Sequence, residues 1–159
     1  MNVASSLDRI DRKIVALLQA EGRLTNQALA ERIPLSPSAC LARVKRLERI
    51  GVIQGYHARL DPFALEIGLV IFAEVTLRSH GEEELLHFEE MVRSLPQIVE
   101  ASHVSGDYDY LLKAVVADLP EWNRIGAQLT APGVGADRIN THVLLSKPKV
   151  FVGYPVPGV

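Results

Sequence analysis

The chain has 159 residues, 48% of them hydrophobic, a single cysteine and a formal charge of −2. That length fits one large domain or two small ones with room for a core, and the lone Cys40 excludes an internal disulfide and any multi-cysteine metal site. No apolar run approaches the roughly 20 residues a membrane helix requires, and residues 1–6 carry neither a basic start nor an apolar stretch, so the expectation is a cytoplasmic protein with no secretion signal.

The small net charge hides a division. Residues 1–60 hold ten Lys and Arg against five Asp and Glu, whereas residues 61–159 hold seven against fourteen. Such asymmetry is expected of a polyanion-binding module joined to a domain of another kind. The domains expected are therefore 1–60 and 61–159.

In chain order, Ile10, Ile14, Leu17 and Leu18 recur on one face of a first helix from Asp8 to Ala20. Asp8 serves as its cap and Gly22 as its stop. Thr25 caps a second helix with Leu29 and Ile33 inward, which must stop near Pro34. Ser36-Pro37 then opens a third helix running to Ile50, before Gly51. Three short helices with a turn of about three residues between the last two have the outline of a helix-turn-helix. Leu41, Val44 and Leu47 should pack inward with Cys40 at their edge. Ser38, Ala39, Ala42, Lys45, Arg46 and Arg49 lie opposite, with Arg43 on a flank. A helix entering the major groove needs this combination, small or polar groups near base edges and long cations near phosphates. The DNA-contacting set read from this half is Thr25, Asn26, Ser36, Pro37, Ser38, Ala39, Ala42, Arg43, Lys45, Arg46 and Arg49. Truncating Arg46 or Arg49 should then flatten the salt dependence of DNA binding. Val52 to Leu60 alternates and reads as a short strand or wing, and Asp61-Pro62 breaks it as a linker.

The second half begins with Leu69–Leu77, which alternates with period two as a strand does. Glu82 to Leu95 is an amphipathic helix with Leu85, Phe88, Val92 and Leu95 inward, closed by Pro96. Ile98 to Val104 and Tyr108 to Val116 are strands joined through Ser105-Gly106-Asp107. Asp118 and Glu121 suggest a capping box for a helix carrying Trp122, Ile125 and Leu129, and Ile139 to Leu145 supplies a fourth strand. The order βαββαβ is the ferredoxin-like pattern, giving an α+β chain overall. A sheet with both helices on one face leaves its other face bare, which suggests self-association. Residues 147–159, rich in Pro and Val, are expected to cover an edge or trail onto a partner.

Two stretches carry a family resemblance. Leu35-Ser36-Pro37-Ser38-Ala39-Cys40-Leu41-Ala42-Arg43-Val44-Lys45-Arg46-Leu47-Glu48-Arg49-Ile50-Gly51-Val52-Ile53 resembles the recognition-helix signature of the leucine-responsive and asparagine-responsive (Lrp/AsnC) transcription regulators. Val104-Ser105-Gly106-Asp107-Tyr108-Asp109-Tyr110-Leu111-Leu112 resembles the glycine-aspartate turn of that family's sensing domain. Asp8-Arg9-Ile10-Asp11, Gly55-Tyr56 and Pro132-Gly133-Val134 fit in the same order, so the likeness covers about residues 7 to 148. Pro34, where the family often has glycine, and residues 147–153 depart from the pattern. The resemblance implies a winged helix-turn-helix, a ferredoxin-like sensing domain, and homodimers assembling to octamers or related rings on double-stranded DNA. It also implies a small effector, typically an amino acid, bound between dimers near the glycine-aspartate turn. Carried onto this chain, the effector residues are Ser105, Gly106, Asp107, Tyr108 and Asp109, with His142 facing the same pocket. Backbone N–H groups at Gly106 would hold a carboxylate, while Asp107 or Asp109 would accept an ammonium.

No cofactor and no catalysis are expected, because no nucleophile motif, phosphate-binding glycine loop or metal spacing is evident. Two alternatives stay open. One is a metal-responsive regulator using His103, Asp107, Asp109 and His142; the other is a small ferredoxin-like enzyme using His103, Asp107 and Asp109 as acid-base groups. RNA binding on the open sheet lacks the exposed aromatic pairs it requires.

Overall fold

The computed structural model of the chain describes residues 7–65 and 67–158; residues 1–6, read above for a leader, lie outside them. It divides into two compact units. One contains the chain up to Arg59 together with Lys149 onward, and the other is Leu60–Pro148. The tail, assigned from sequence to the second domain, thus packs with the first unit, where side chains bond its backbone.

Three helices build the first unit, α1 (Arg9–Ala20), α2 (Asn26–Glu31) and α3 (Pro37–Arg49). Each starts where a side chain can accept an otherwise unpaired first-turn N–H. Asp8 and Asp11 form a reciprocal pair, with Asp11 N–H donating to Asp8 Oδ1 at 2.8 Å and Asp8 N–H to Asp11 Oδ2 at 3.2 Å. Thr25 accepts from Ala28 N–H at 3.2 Å, and Ser36 accepts from Ala39 N–H at 3.3 Å, with Pro37 at the first helical position. Gly51 follows α3 at φ +75°, a left-handed conformation that favours glycine. The turn between α2 and α3 is longer than expected, since α2 gives way to turn backbone at Arg32, ahead of Pro34.

The core of this unit is Ile14, Leu29, Ala30, Ile33, Cys40 and Leu47. Here α3 is rotated from the expected orientation, with Cys40 and Leu47 fully buried and Leu41 41% exposed. A stripe at i, i+4 and i+7 through Cys40, Val44 and Leu47 centres the inward face one residue ahead of Leu41, leaving that side chain at the rim. Residues 54–60 carry no regular structure, so the expected strand is absent; no described residue of this unit forms a strand to pair with it.

The second unit is a four-stranded antiparallel sheet with two helices. In chain order these are β1 (Leu69–Leu77), α4 (Glu82–Ser94), β2 (Ile98–His103), β3 (Tyr110–Val116), α5 (Leu119–Leu129) and β4 (Ala136–Val143). The strand order is β2-β3-β1-β4, the ferredoxin-like arrangement. Alternation puts Ile71, Ala73, Val75 and Leu77 of β1 and Tyr110, Leu112, Ala114 and Val116 of β3 on one face. There they bury against Phe88 and Val92 of α4 and Trp122, Ile125 and Leu129 of α5. Trp122 Nε1 donates to Thr141 Oγ1 at 2.9 Å, fixing α5 on β4. The cap of α5 differs slightly from the expected box. Asp118 accepts from Glu121 N–H at 2.8 Å, but Glu121 reaches past it to accept from Ala117 N–H at 2.7 Å. β4 starts three residues earlier than its apolar content suggests, because Ala136 and Arg138 pair with Leu77 and Thr76 across a register shift. No helix among the described residues is long and apolar enough to cross a membrane.

Candidate nucleic-acid interface and effector region

The sequence-predicted DNA face resolves into two sets of residues. Ser36, Pro37, Ser38, Ala42, Lys45 and Arg49 are exposed. Ser38, Ala42, Lys45 and Arg49, spaced i, i+4, i+7 and i+11, form one stripe along α3. Ala39 is half-buried, and Thr25 is exposed at the start of α2. Asn26 serves the turn itself, with Nδ2 donating to the Pro37 carbonyl at 2.8 Å and so tying the start of α2 to the start of α3.

Arg43 and Arg46 are placed differently from the expectation. Arg43 Nη1 donates to Asp8 Oδ2 at 2.6 Å and to Asp11 Oδ1 at 2.9 Å, and Arg46 Nη1 donates to Asp11 Oδ2 at 3.0 Å. Asp11 is 1% exposed and is the one buried charged side chain among the described residues. Its carboxylate therefore closes the α1 cap and binds two arginines of α3. A charge this deep requires such pairing, because desolvation without partners would exceed any gain from burial. The Asp11 N–H, and then Arg43, hold the Asp8 carboxyl below its ordinary value, while Asp8 and Asp11 push the Arg43 guanidinium up. Sequence reasoning had Asp8 as a cap and Asp11 only in the family-like opening of the first helix, and missed their arginine partners. Alternation and spacing report which residues share a face, not which helix that face meets.

In the second unit, Ser105, Gly106 and Asp107 are exposed and Tyr108 is half-buried in the β2–β3 connection. Gly106 has φ +137° with open space where a Cβ would stand, so its backbone conformation, not crowding, requires glycine. Val104 N–H donates to the Asp109 carbonyl at 2.9 Å and closes the turn. Asp109 is already committed. Its Oδ2 accepts from Leu77 N–H at 2.7 Å and its Oδ1 bonds His80 Nε2 at 2.8 Å. The Leu77 amide first, and His80 after it, hold this carboxyl below the usual range. Asp109 therefore anchors the turn to the end of β1, and Asp107 is the carboxylate left facing out. His142 does not join the turn. It pairs across β4 and β1 with Phe72, on the sheet face away from the helices, and lies 3.5 Å from Glu74 Oε1.

These positions also dismantle the proposed metal set. His103 stacks on the Tyr110 ring with centroids 4.6 Å apart, and Tyr110 OH donates to Glu89 Oε1 at 3.1 Å. Burial, and then Glu89, push that phenol up to about 12. Among the described residues no three His, Cys, Asp or Glu side chains gather as a metal site.

Residues 7–54 match the family model for a winged helix-turn-helix DNA-binding domain, and residues 70–152 match that for the Lrp/AsnC ligand-binding domain. The leucine-responsive regulatory proteins of Escherichia coli K12 and Klebsiella pneumoniae are each 43% identical over 145 residues, covering 90% of this chain and 87% of theirs. Among solved structures, a transcriptional regulator of Neisseria meningitidis in complex with L-Met superposes with TM-score 0.84 at 33% identity, covering 95% of this chain and 97% of that one. An AsnC family regulator of Agrobacterium tumefaciens gives TM-score 0.81 at 32% identity over 94% and 97% of the two chains. Taken with the basic helix-turn-helix and the ferredoxin-like second unit, these matches make the chain a member of the Lrp/AsnC family of DNA-binding transcription regulators, with an effector-binding domain after its helix-turn-helix.

Proposed function

We propose that this regulator binds double-stranded DNA through the Ser38–Ala42–Lys45–Arg49 stripe of α3, as a homodimer that assembles to an octamer or related ring, under the control of an amino acid. The observation that carries the DNA reading is the separation of cations on α3. Lys45 and Arg49 are exposed, whereas Arg43 and Arg46 are held by Asp8 and Asp11. Ser38 and Ala42 are small enough for the helix to approach base edges, and Lys45 and Arg49 meet the phosphates beside them. Dimer symmetry would present two such helices to successive major grooves.

The effector reading takes its support from the ligand-binding family match and from the neighbour that carries L-Met. On this chain the exposed N–H groups around Gly106 suit a carboxylate and Asp107 suits an ammonium, with Ser105 and Tyr108 beside them. Asp109 then acts as the support beneath the turn, and His142 is dropped from the site. The effector acts by binding one assembly state better than another.

Sedimentation of the purified protein with and without a mixture of the standard amino acids tests the sensing half. A distribution that shifts with the mixture is expected; one species indifferent to it refutes amino-acid control. Titration of a labelled promoter fragment against salt tests the DNA half, and affinity without salt dependence would refute phosphate contact by α3.

A further inference from the structure

The C-terminal segment after β4 has no regular structure, yet side chains of the DNA-binding unit hold its backbone at three points. Gln19 of α1 brackets one residue completely: its Nε2 donates to the Tyr154 carbonyl at 2.7 Å and its Oε1 accepts from Tyr154 N–H at 2.8 Å. Arg59 Nη1 donates to the Phe151 carbonyl at 3.4 Å, and Arg12 Nη1 donates to the Pro157 carbonyl at 3.3 Å. Tail positions 151, 154 and 157 thus meet residues 59, 19 and 12 in turn, so the segment runs antiparallel to α1.

The fit is specific at one residue. Gly153 has φ +132°, a conformation that favours glycine, and a Cβ there would have to displace the Gln19 side chain from its place. The neighbouring Phe151 and Tyr154 rings meet edge-on with centroids 5.0 Å apart. A side-chain amide that satisfies both the backbone donor and the backbone acceptor of one residue acts as an adjacent strand would, and it selects position as well as direction.

We propose that residues 149–158 are a strap of the DNA-binding unit. The chain's own C-terminal segment occupies the outer face of α1 and, through Arg59, ties the exit segment 52–59 to that helix. The N–H groups of Val52 and Ile53 donate to the Leu47 carbonyl and Tyr56 OH donates to Glu48 Oε1 at 3.1 Å, so the strap adds a tie at the far end of the exit segment, at Arg59.

Amide hydrogen exchange followed by NMR on the full-length chain tests this. In the native protein the Tyr154 amide should exchange on the order of tenfold or more slowly than an unstructured peptide, as a hydrogen-bonded group does. Gln19→Ala and Gly153→Val should each remove that protection, while amides of β3 keep their rates. The strap is overturned if the native Tyr154 amide exchanges freely, or if both variants leave its protection intact. Co-assembly separates the chain's own tail from a second copy's. Labelled Gln19→Ala chains mixed with unlabelled chains ending at Pro148 should stay unprotected at Tyr154. Recovery of protection would mean that the tail docks on another copy, which overturns the proposal.

Discussion

Replacing Asp11 with alanine removes the carboxylate on which α1 and α3 both depend, at a side chain 2% exposed. It takes away the partner of Arg43 at 2.9 Å, the partner of Arg46 at 3.0 Å and the acceptor for Asp8 N–H at 3.2 Å. Breaking a buried ion pair from one side costs about 3–5 kcal/mol when the remaining charge stays buried. The two arginine side chains are 31% and 36% exposed and regain water when released, which reduces the figure to roughly 2–3 kcal/mol. A domain of this size loses about 4–8 °C per kcal/mol, so the helical unit should melt roughly 10–20 °C lower. Far-UV circular dichroism during heating checks this, with Asp11→Asn expected to fall between the two because it keeps one acceptor. A melt of Asp11→Ala within about 2 °C of the native protein would refute the assignment of Asp11 as the α1–α3 staple.

Three further outcomes are expected. Lys45→Ala and Arg49→Ala should each lower the magnitude of the salt slope of DNA binding by about 1, whereas Arg46→Ala should destabilise the fold and leave the slope unchanged. An equal flattening by Arg46→Ala would show that Arg46 leaves Asp11 for phosphate. Because the Asp109 carboxyl is held below its ordinary value, its contribution is present above about pH 4 and is lost as pH falls through the folded value. Asp109→Ala should therefore lower the urea midpoint at neutral pH, by an amount that shrinks on acidification; a deficit that grows in acid contradicts this sign. Leu112 is fully buried, so Leu112→Ala should cost about 2–5 kcal/mol in urea unfolding, and a loss under about 1 kcal/mol would mean the sheet core is not where it is drawn.

The elements themselves were legible because their signals are local. Asp8, Thr25, Ser36 with Pro37, and Asp118 each stand where a helix must satisfy its first N–H groups, and the helices begin there. Period-two alternation marked β1 as the strand with one face buried, and the βαββαβ order admits few sheet topologies once strands pair antiparallel. The candidate site was legible only in part. A basic face on α3 follows from spacing, but the ion pairs of Arg43 and Arg46 with Asp8 and Asp11 do not, nor do the bonds of Asp109 to Leu77 and His80.

What the sequence alone determined is therefore the charge division, the element order and a basic face on α3, all set by neighbours within a few positions. What only the tertiary structure decided depends on partners distant along the chain. Asp11 meets residues 43 and 46, Asp109 meets residues 77 and 80, and Gln19 meets Tyr154. A polar side chain can satisfy itself with any complementary group that comes within about 3 Å, so its type and spacing leave the partner undetermined until packing brings one alongside.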